Sequence, residues 1–250
     1  MNSKNLLHLV QPEIQRLISE GLRQDEFKIY YNPVIDTKAD AVSLFDLSIC
    51  WHHERYGVLE AIKFIPLIKQ LPEYEQLAHR FFECVSRRLH FFESIGKLTA
   101  LTIPVSATQL KRDDGIDLLL QFLNTHDIPA HGVVLKIFNY AENLPEKLST
   151  LQEMGFKIMV HYELRVRFKK LSVDYVLISR HEIEKKRLLG EPLLKEILEA
   201  TLAKAHCQFI VQDIEEESHQ LFLQQYGIRY FQGPFYSDPL PYDEMFKKLS

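Results

Sequence analysis

The chain has 250 residues, 46% hydrophobic and 26% charged, a balance that supports one substantial buried core and excludes a disordered or fibrous protein. A formal charge of -4 gives no excess of Lys and Arg to engage phosphates, so no direct nucleic-acid binding is expected. The three cysteines, Cys50, Cys84 and Cys207, are widely spaced and make neither a disulfide framework nor a CxxC metal knuckle, and no apolar run approaches the roughly 20 residues that span a bilayer.

At the start of the chain, Leu6, Leu9, Val10, Ile14, Leu17, Ile18 and Leu22 recur at helical spacing, with Pro12 interrupting and Gly21 weakening the pattern. The stretch lacks the apolar core of a signal peptide, so a cytoplasmic location is expected. Glu13, Glu20, Asp25 and Glu26 favour packing of this segment on the main domain over contact with a membrane. Residues 1–26 are thus expected to be a helical lead-in to a single domain spanning 27–250.

Short β-like runs then alternate with longer amphipathic ones. The runs fall at 27–34, 41–50, 98–105, 132–138, 156–162, 174–179, 207–213 and near 228–232. Strands alternating with helices predict βαβ units and a parallel sheet or barrel; about eight units in this length suggest a (β/α)8 barrel with its site at the C-terminal strand ends. Phe81, Phe82, Phe91 and Phe92 lie at spacings expected to face the core. His52, His53 and Glu54 diverge on a predicted surface turn, and no His four positions on completes a zinc pattern. Arg165, Arg167, Lys169 and Lys170 form a basic cluster, read as a solvated face before a contact for an acidic partner.

Several segments in order carry a resemblance. NPVID (32–36), WHHERYGV (51–58), IKFIPL (62–67), SATQL (106–110), LSVDYVLIS (171–179) and QGPFYSDPLP (232–241) are similar to successive motifs of the EAL domain, the bacterial cyclic-di-GMP phosphodiesterase family. The resemblance implies a TIM-like barrel and a reaction that requires divalent cations held by carboxylate and amide oxygens. It also identifies where those ligands would stand. Asp46, followed by Leu47 and Ser48, replaces Glu-Ala-Leu, and Cys50 replaces an arginine before the Trp. A strand-end Asn becomes Pro104, and Leu-Glu-Ile-Thr-Glu becomes Leu135, Lys136, Ile137, Phe138 and Asn139. His161 and Tyr162 occupy an Asp-Asp pair, and Leu177 and Ser179 stand for the Lys and Asp of Lys-Ile-Asp. Gln212 replaces a Glu, whereas Glu215 and Gln232 remain as remnants beside Asp46. Lys136 is read as a solvated rim charge, the alternative being contact with a phosphate.

These replacements imply no catalytic residue, no metal site and no cofactor. The segment from His161 to Asp174 is shorter than the family's by about five residues on strand alternation, which weakens the usual dimer contact and predicts a monomer. The chain therefore resembles the stand-alone degenerate EAL-like proteins of enteric bacteria, anti-FlhDC factors that bind the FlhD subunit of the flagellar master regulator and restrain flagellar gene expression and motility. The expected function is regulation by protein binding. A non-hydrolysing cyclic-di-GMP receptor is the alternative, and a residual phosphodiesterase ranks last.

Overall fold

The computed structural model describes residues 11–97, 99–138, 144–162, 173–190, 194, 195, 197, 199 and 207–245. Its strands are β1 (Phe27–Asp36), β2 (Ala41–His53), β3 (Gly57–Glu60), β4 (Ala100–Ser106), β5 (Val133–Phe138), β6 (Lys157–His161), β7 (Tyr175–Ser179), β8 (Gln208–Gln212) and β9 (Tyr230–Phe231). Spatial order is β1-β9-β8-β7-β6-β5-β4-β2-β3, and β1 also pairs with β2, which closes eight strands into a barrel and leaves β3 as a flap on β2. The eight β-like runs of the sequence match the eight barrel strands. Direction differs at one place: β1 is antiparallel to both β2 and β9, while the neighbours from β4 to β9, and β2 beside β4, are parallel.

Alternation along the strands sorts the core into two layers. Leu44, Val34, Val134, Met159, Leu177 and Ile210, with Tyr175 and Tyr230, form an apolar cluster drawn from strands alone, the interior of the barrel. Residues of the other parity, such as Phe45, Leu101, Leu135, Ile158, Val176 and Val211, pack outward with Phe81, Leu89 and Phe92 of α3 (Pro72–Ser94), the helix that follows α1 (Gln11–Arg23) and α2 (Ala61–Ile68). The aromatic pairs of that helix divide as its periodicity requires, Phe81 and Phe92 buried and Phe82 and Phe91 half-buried.

The lead-in helix is described as α1 (Gln11–Arg23), with Pro12 as its second residue, while Leu6, Leu9 and Val10 lie outside the described residues. Ile14, Leu17, Ile18 and Leu22 join Phe27, Trp51 and Phe64 in a separate apolar cluster. Gly21 has a packing role: a Cβ there would lie 2.8 Å from Trp51 Nε1 and 2.9 Å from Glu26 Oε2. His52 and His53 end β2 and do not form a turn; the hairpin turn follows them, and its return strand β3 is an element the sequence reading does not contain. His52 stacks on Tyr30 and His53 meets Trp51 and Tyr56 edge-on.

Two buried carboxylates pin the fold's ends. Glu73, in the first turn of α3, accepts hydrogen bonds from Ser19 Oγ at 2.7 Å and Gln15 Nε2 at 3.1 Å, both from α1. Asp36 accepts the Arg229 guanidinium fork and the amides of Lys38 and Ala39. Burial by itself would raise both acids; the hydrogen bonds outweigh it and hold each below the ordinary carboxylate range. A depressed folded value means stability that is fully present above the unfolded pKa, near 4, and is lost as pH falls through the folded value. The contribution of these two acids to the urea midpoint is therefore expected to be constant from pH 7 to 5 and to be lost below about pH 4, with Asp36→Asn and Glu73→Gln each flattening that acid limb. An unchanged acid limb in the double variant would remove these two carboxylates as its cause.

Candidate functional site

The C-terminal ends of the parallel strands form one mouth. Interior positions two residues beyond the apolar layer are Asp46 after Leu44, Lys136 after Val134, His161 after Met159, Ser179 after Leu177, Gln212 after Ile210 and Gln232 after Tyr230. In β1, which runs the other way, Asn32 precedes Val34 at the same level. Seven strands thus supply a polar ring above an apolar plug, the place where a barrel of this kind carries its chemistry.

Within the ring, Asp46 is the organising group. Its side chain is 7% exposed, and Oδ2 lies 2.6 Å from the Lys136 ammonium, whose side chain is 12% exposed. Oδ1 accepts a hydrogen bond from Thr102 Oγ1 at 2.8 Å, and Thr102 Oγ1 in turn accepts from the Leu47 amide at 2.8 Å. Asn32 Nδ2 donates to the Asp46 carbonyl at 2.9 Å. Lys136 is hence no rim charge: a desolvated ammonium must be paired, and its partner is the one acid at this level of β2. Sequence spacing missed the pair because β4 lies between β2 and β5, so no local pattern links residues 46 and 136. Thr102, which fixes the second oxygen, gave no sequence signal at all.

The other positions fall into separate groups. Pro104 is in register with Lys136 and presents no side-chain oxygen. Leu177 is buried in the apolar plug. The His161 ring nitrogen Nδ1 lies 3.2 Å from the Tyr162 carbonyl, and the Tyr162 amide donates to the Leu177 carbonyl at 2.8 Å. Gln232 Nε2 donates to Gln212 Oε1 at 3.5 Å; its own Oε1 is buried and has no hydrogen-bond partner among the described residues. Ser179 Oγ donates to Asp213 Oδ2 at 2.6 Å. Arg180, a residue the sequence reading did not select, donates to the Asp213 carbonyl at 2.9 Å and lies 3.1 Å from Glu215 Oε2, so the remnant Glu215 also faces a protein cation. Cys50 sits farther along β2, opposite Glu60, and burial with that carboxylate pushes its thiol pKa up. Asn139 and the basic stretch 163–170 lie outside the described residues.

This donor set does not fit the divalent cations that the resemblance implies. A hard cation needs several anionic or carbonyl oxygens converging at 2.0 to 2.6 Å, whereas here the carboxylate of Asp46 is satisfied on both oxygens by Lys136 and Thr102. Among the described residues no three His, Cys, Asp or Glu side chains converge on a point.

A barrel of this fold is found in known proteins. The family model for the EAL domain matches residues 15–239, and the chain belongs to that family. It is 24% identical over 250 residues to the probable cyclic di-GMP phosphodiesterase PdeN of Escherichia coli (strain K12), which covers 94% of this chain and 47% of that protein. To protein sll1895 of Synechocystis it is 24% identical over 258 residues, 95% of this chain and 36% of that one. The chain spans less than half the length of these relatives. Among solved structures it is similar to the PaMucR phosphodiesterase in complex with c-di-GMP, with a TM-score of 0.75, 18% identity and coverage of 93% and 99% of the two chains. The EAL domain protein from Listeria monocytogenes EGD-e gives a TM-score of 0.71 at 17% identity, over 96% and 98%. Among the described residues, no helix is long and apolar enough to cross a membrane.

Proposed function

We propose that this EAL-family barrel does not hydrolyse cyclic-di-GMP and acts by binding another protein. The observation that supports this reading is the ion pair at the mouth: the surviving carboxylate, Asp46, is engaged at 2.6 Å by the Lys136 ammonium, a group that cannot activate water as a divalent cation does. Losing one well-placed electrostatic group costs a reaction of this kind on the order of 100- to 1000-fold, and here the family's acids at the positions of Asn139, His161, Tyr162 and Ser179 are replaced together, with the cation Lys136 entering near the first of them. By its resemblance to the anti-FlhDC factors, the partner is the FlhD subunit of FlhDC, bound by a monomer of this chain in the cytoplasm, with repression of flagellar gene expression as the outcome.

A second reading, a non-hydrolysing receptor for cyclic-di-GMP, is favoured by one feature. The Gln232 carboxamide oxygen, in the polar ring at the mouth, is buried without a partner among the described residues. Titration calorimetry with cyclic-di-GMP, with and without Mg or Mn, separates the two. No heat, no product after prolonged incubation and co-purification with FlhD are expected. Saturable binding without turnover would favour the receptor, metal-dependent turnover would end both readings, and failure to capture FlhD or FlhDC would remove the named partner.

A further inference from the structure

We infer that the Lys136 ammonium is a tethered substitute for a divalent cation at Asp46, and that exchange of this one side chain for a carboxylate uncovers a divalent-cation site at the barrel mouth. The inference rests on the reading of the mouth as metal-free, and it is independent of which protein the barrel binds.

Geometry comes first. Asp46 is on β2 and Lys136 on β5, with β4 between them, so the two backbones stand two strand spacings apart, about 9.6 Å. Only a long side chain closes that gap to the short one of Asp46, and the four-carbon stem of lysine brings a compact positive charge to 2.6 Å from Oδ2. The intervening β4 presents Pro104, in register with Lys136, which puts no competing oxygen beside the ammonium. Thr102, two residues before Pro104 on the same face of β4, turns its hydroxyl to Oδ1. The carboxylate therefore has one charged contact and one neutral donor, both from the protein.

Charge comes second. An unpaired carboxylate this deeply buried is costly, and a metalloenzyme compensates with a bound cation. In the strand aligned by the resemblance, Lys136 stands where Leu-Glu-Ile-Thr-Glu has its first Glu, so a single position has changed from a negative group to a positive one. The sign reversal keeps the local sum close to balance without an ion: one acid and one ammonium replace two acids and a cation. The barrel mouth is thus assembled as soon as the chain folds, whatever the supply of metal.

The test uses the full chain and reads thermal unfolding and calorimetry, with Ca or Mn as the probe. Wild-type Tm is expected to be the same in EDTA and in millimolar Ca or Mn, and titration with either ion to give no heat. Lys136→Met should lower Tm by on the order of 10 °C, because breaking a buried pair leaves its partner uncompensated, and adding Asp46→Asn should recover most of that loss. Lys136→Glu should be destabilised in EDTA and regain several degrees in Ca or Mn, with a new saturable site. A folded Lys136→Glu variant with no cation response would overturn the inference and leave the proposed function standing. If that variant does not fold, the Lys136→Met and Asp46→Asn cycle decides: additive effects overturn the inference. Stoichiometric Ca or Mn uptake by the wild type would instead overturn the metal-free reading itself.

Discussion

Replacing Gly233 by alanine is expected to lower stability by about 3 kcal/mol or more, a fall in Tm on the order of 10 °C for a chain of this size. Gly233 has φ +144°, a region closed to residues with a Cβ, and a Cβ built there would lie 2.4 Å from Ile214 N and 2.5 Å from Ile214 O. Those are backbone atoms in use: the Ile214 amide donates to the Gln232 carbonyl at 3.2 Å and the Ile214 carbonyl accepts from Phe235 N at 2.9 Å. A flexible side chain could swing aside, but a segment pinned by two hydrogen bonds has to move as a unit, and it carries Gln232 and Asp213 of the mouth with it. Differential scanning calorimetry of the single variant checks the size of the effect; a loss under 1 kcal/mol would show that the loop accommodates the methyl group.

The second large effect is expected at Trp51, the single tryptophan of the chain. Its side chain is 0% exposed, stacks on Phe27 at 5.4 Å, meets Phe64 at 6.0 Å and donates Nε1 to Glu26 Oε2 at 2.8 Å. Truncation to alanine removes the centre of the cluster on which α1 rests and should cost about 3 to 5 kcal/mol, the range for large aromatic deletions. Helix α1 should also become the first site of proteolysis in that variant, since four of its buried side chains lie in the same cluster. Because Trp51 is the only indole, wild-type fluorescence reports this cluster alone: a blue-shifted emission should move to the red in step with α1 cleavage. Loss of the barrel signal before α1 cleavage would refute this order.

Much of the architecture was legible because the strand runs carry apolar residues on both faces, one for the barrel interior and one for the helices, and each is bounded by polar turns. What the runs do not encode is direction. Phe27–Asp36 reads like any other strand, and only the short link from Asp36 to Ala41, too short for a crossover helix, requires it to be antiparallel to β2. The flap strand Gly57–Glu60 was missed because four residues give too little alternation to separate a strand from a turn. At the mouth, the resemblance points to Asp46, where a shorter carboxylate stands for a Glu, and to Glu215 and Gln232. It did not reveal Lys136 as a partner of Asp46, because the contact joins strands that are not adjacent, nor Arg180, whose role depends on the loop after β8 folding back across it. Periodicity specifies which face a residue occupies, and a through-space pair needs the closed barrel.

Barrel closure also has a temporal side. β1 pairs with β2 across a tight turn as soon as both exist, but its other edge waits for β9, and the Asp36–Arg229 pair that seals the seam joins residues 193 positions apart. Tyr31 and Leu240 close the same seam with two backbone hydrogen bonds of 2.9 Å. At roughly 5 to 20 residues per second, synthesis of the intervening chain takes on the order of 10 to 40 s. For that interval a nascent chain presents β1 as an unpaired strand edge, a template for intermolecular pairing. The burden of keeping this protein out of aggregates therefore falls on the period before its last strand leaves the ribosome, and chaperone dependence should be set by translation speed between β2 and β9 more than by the stability of the finished barrel.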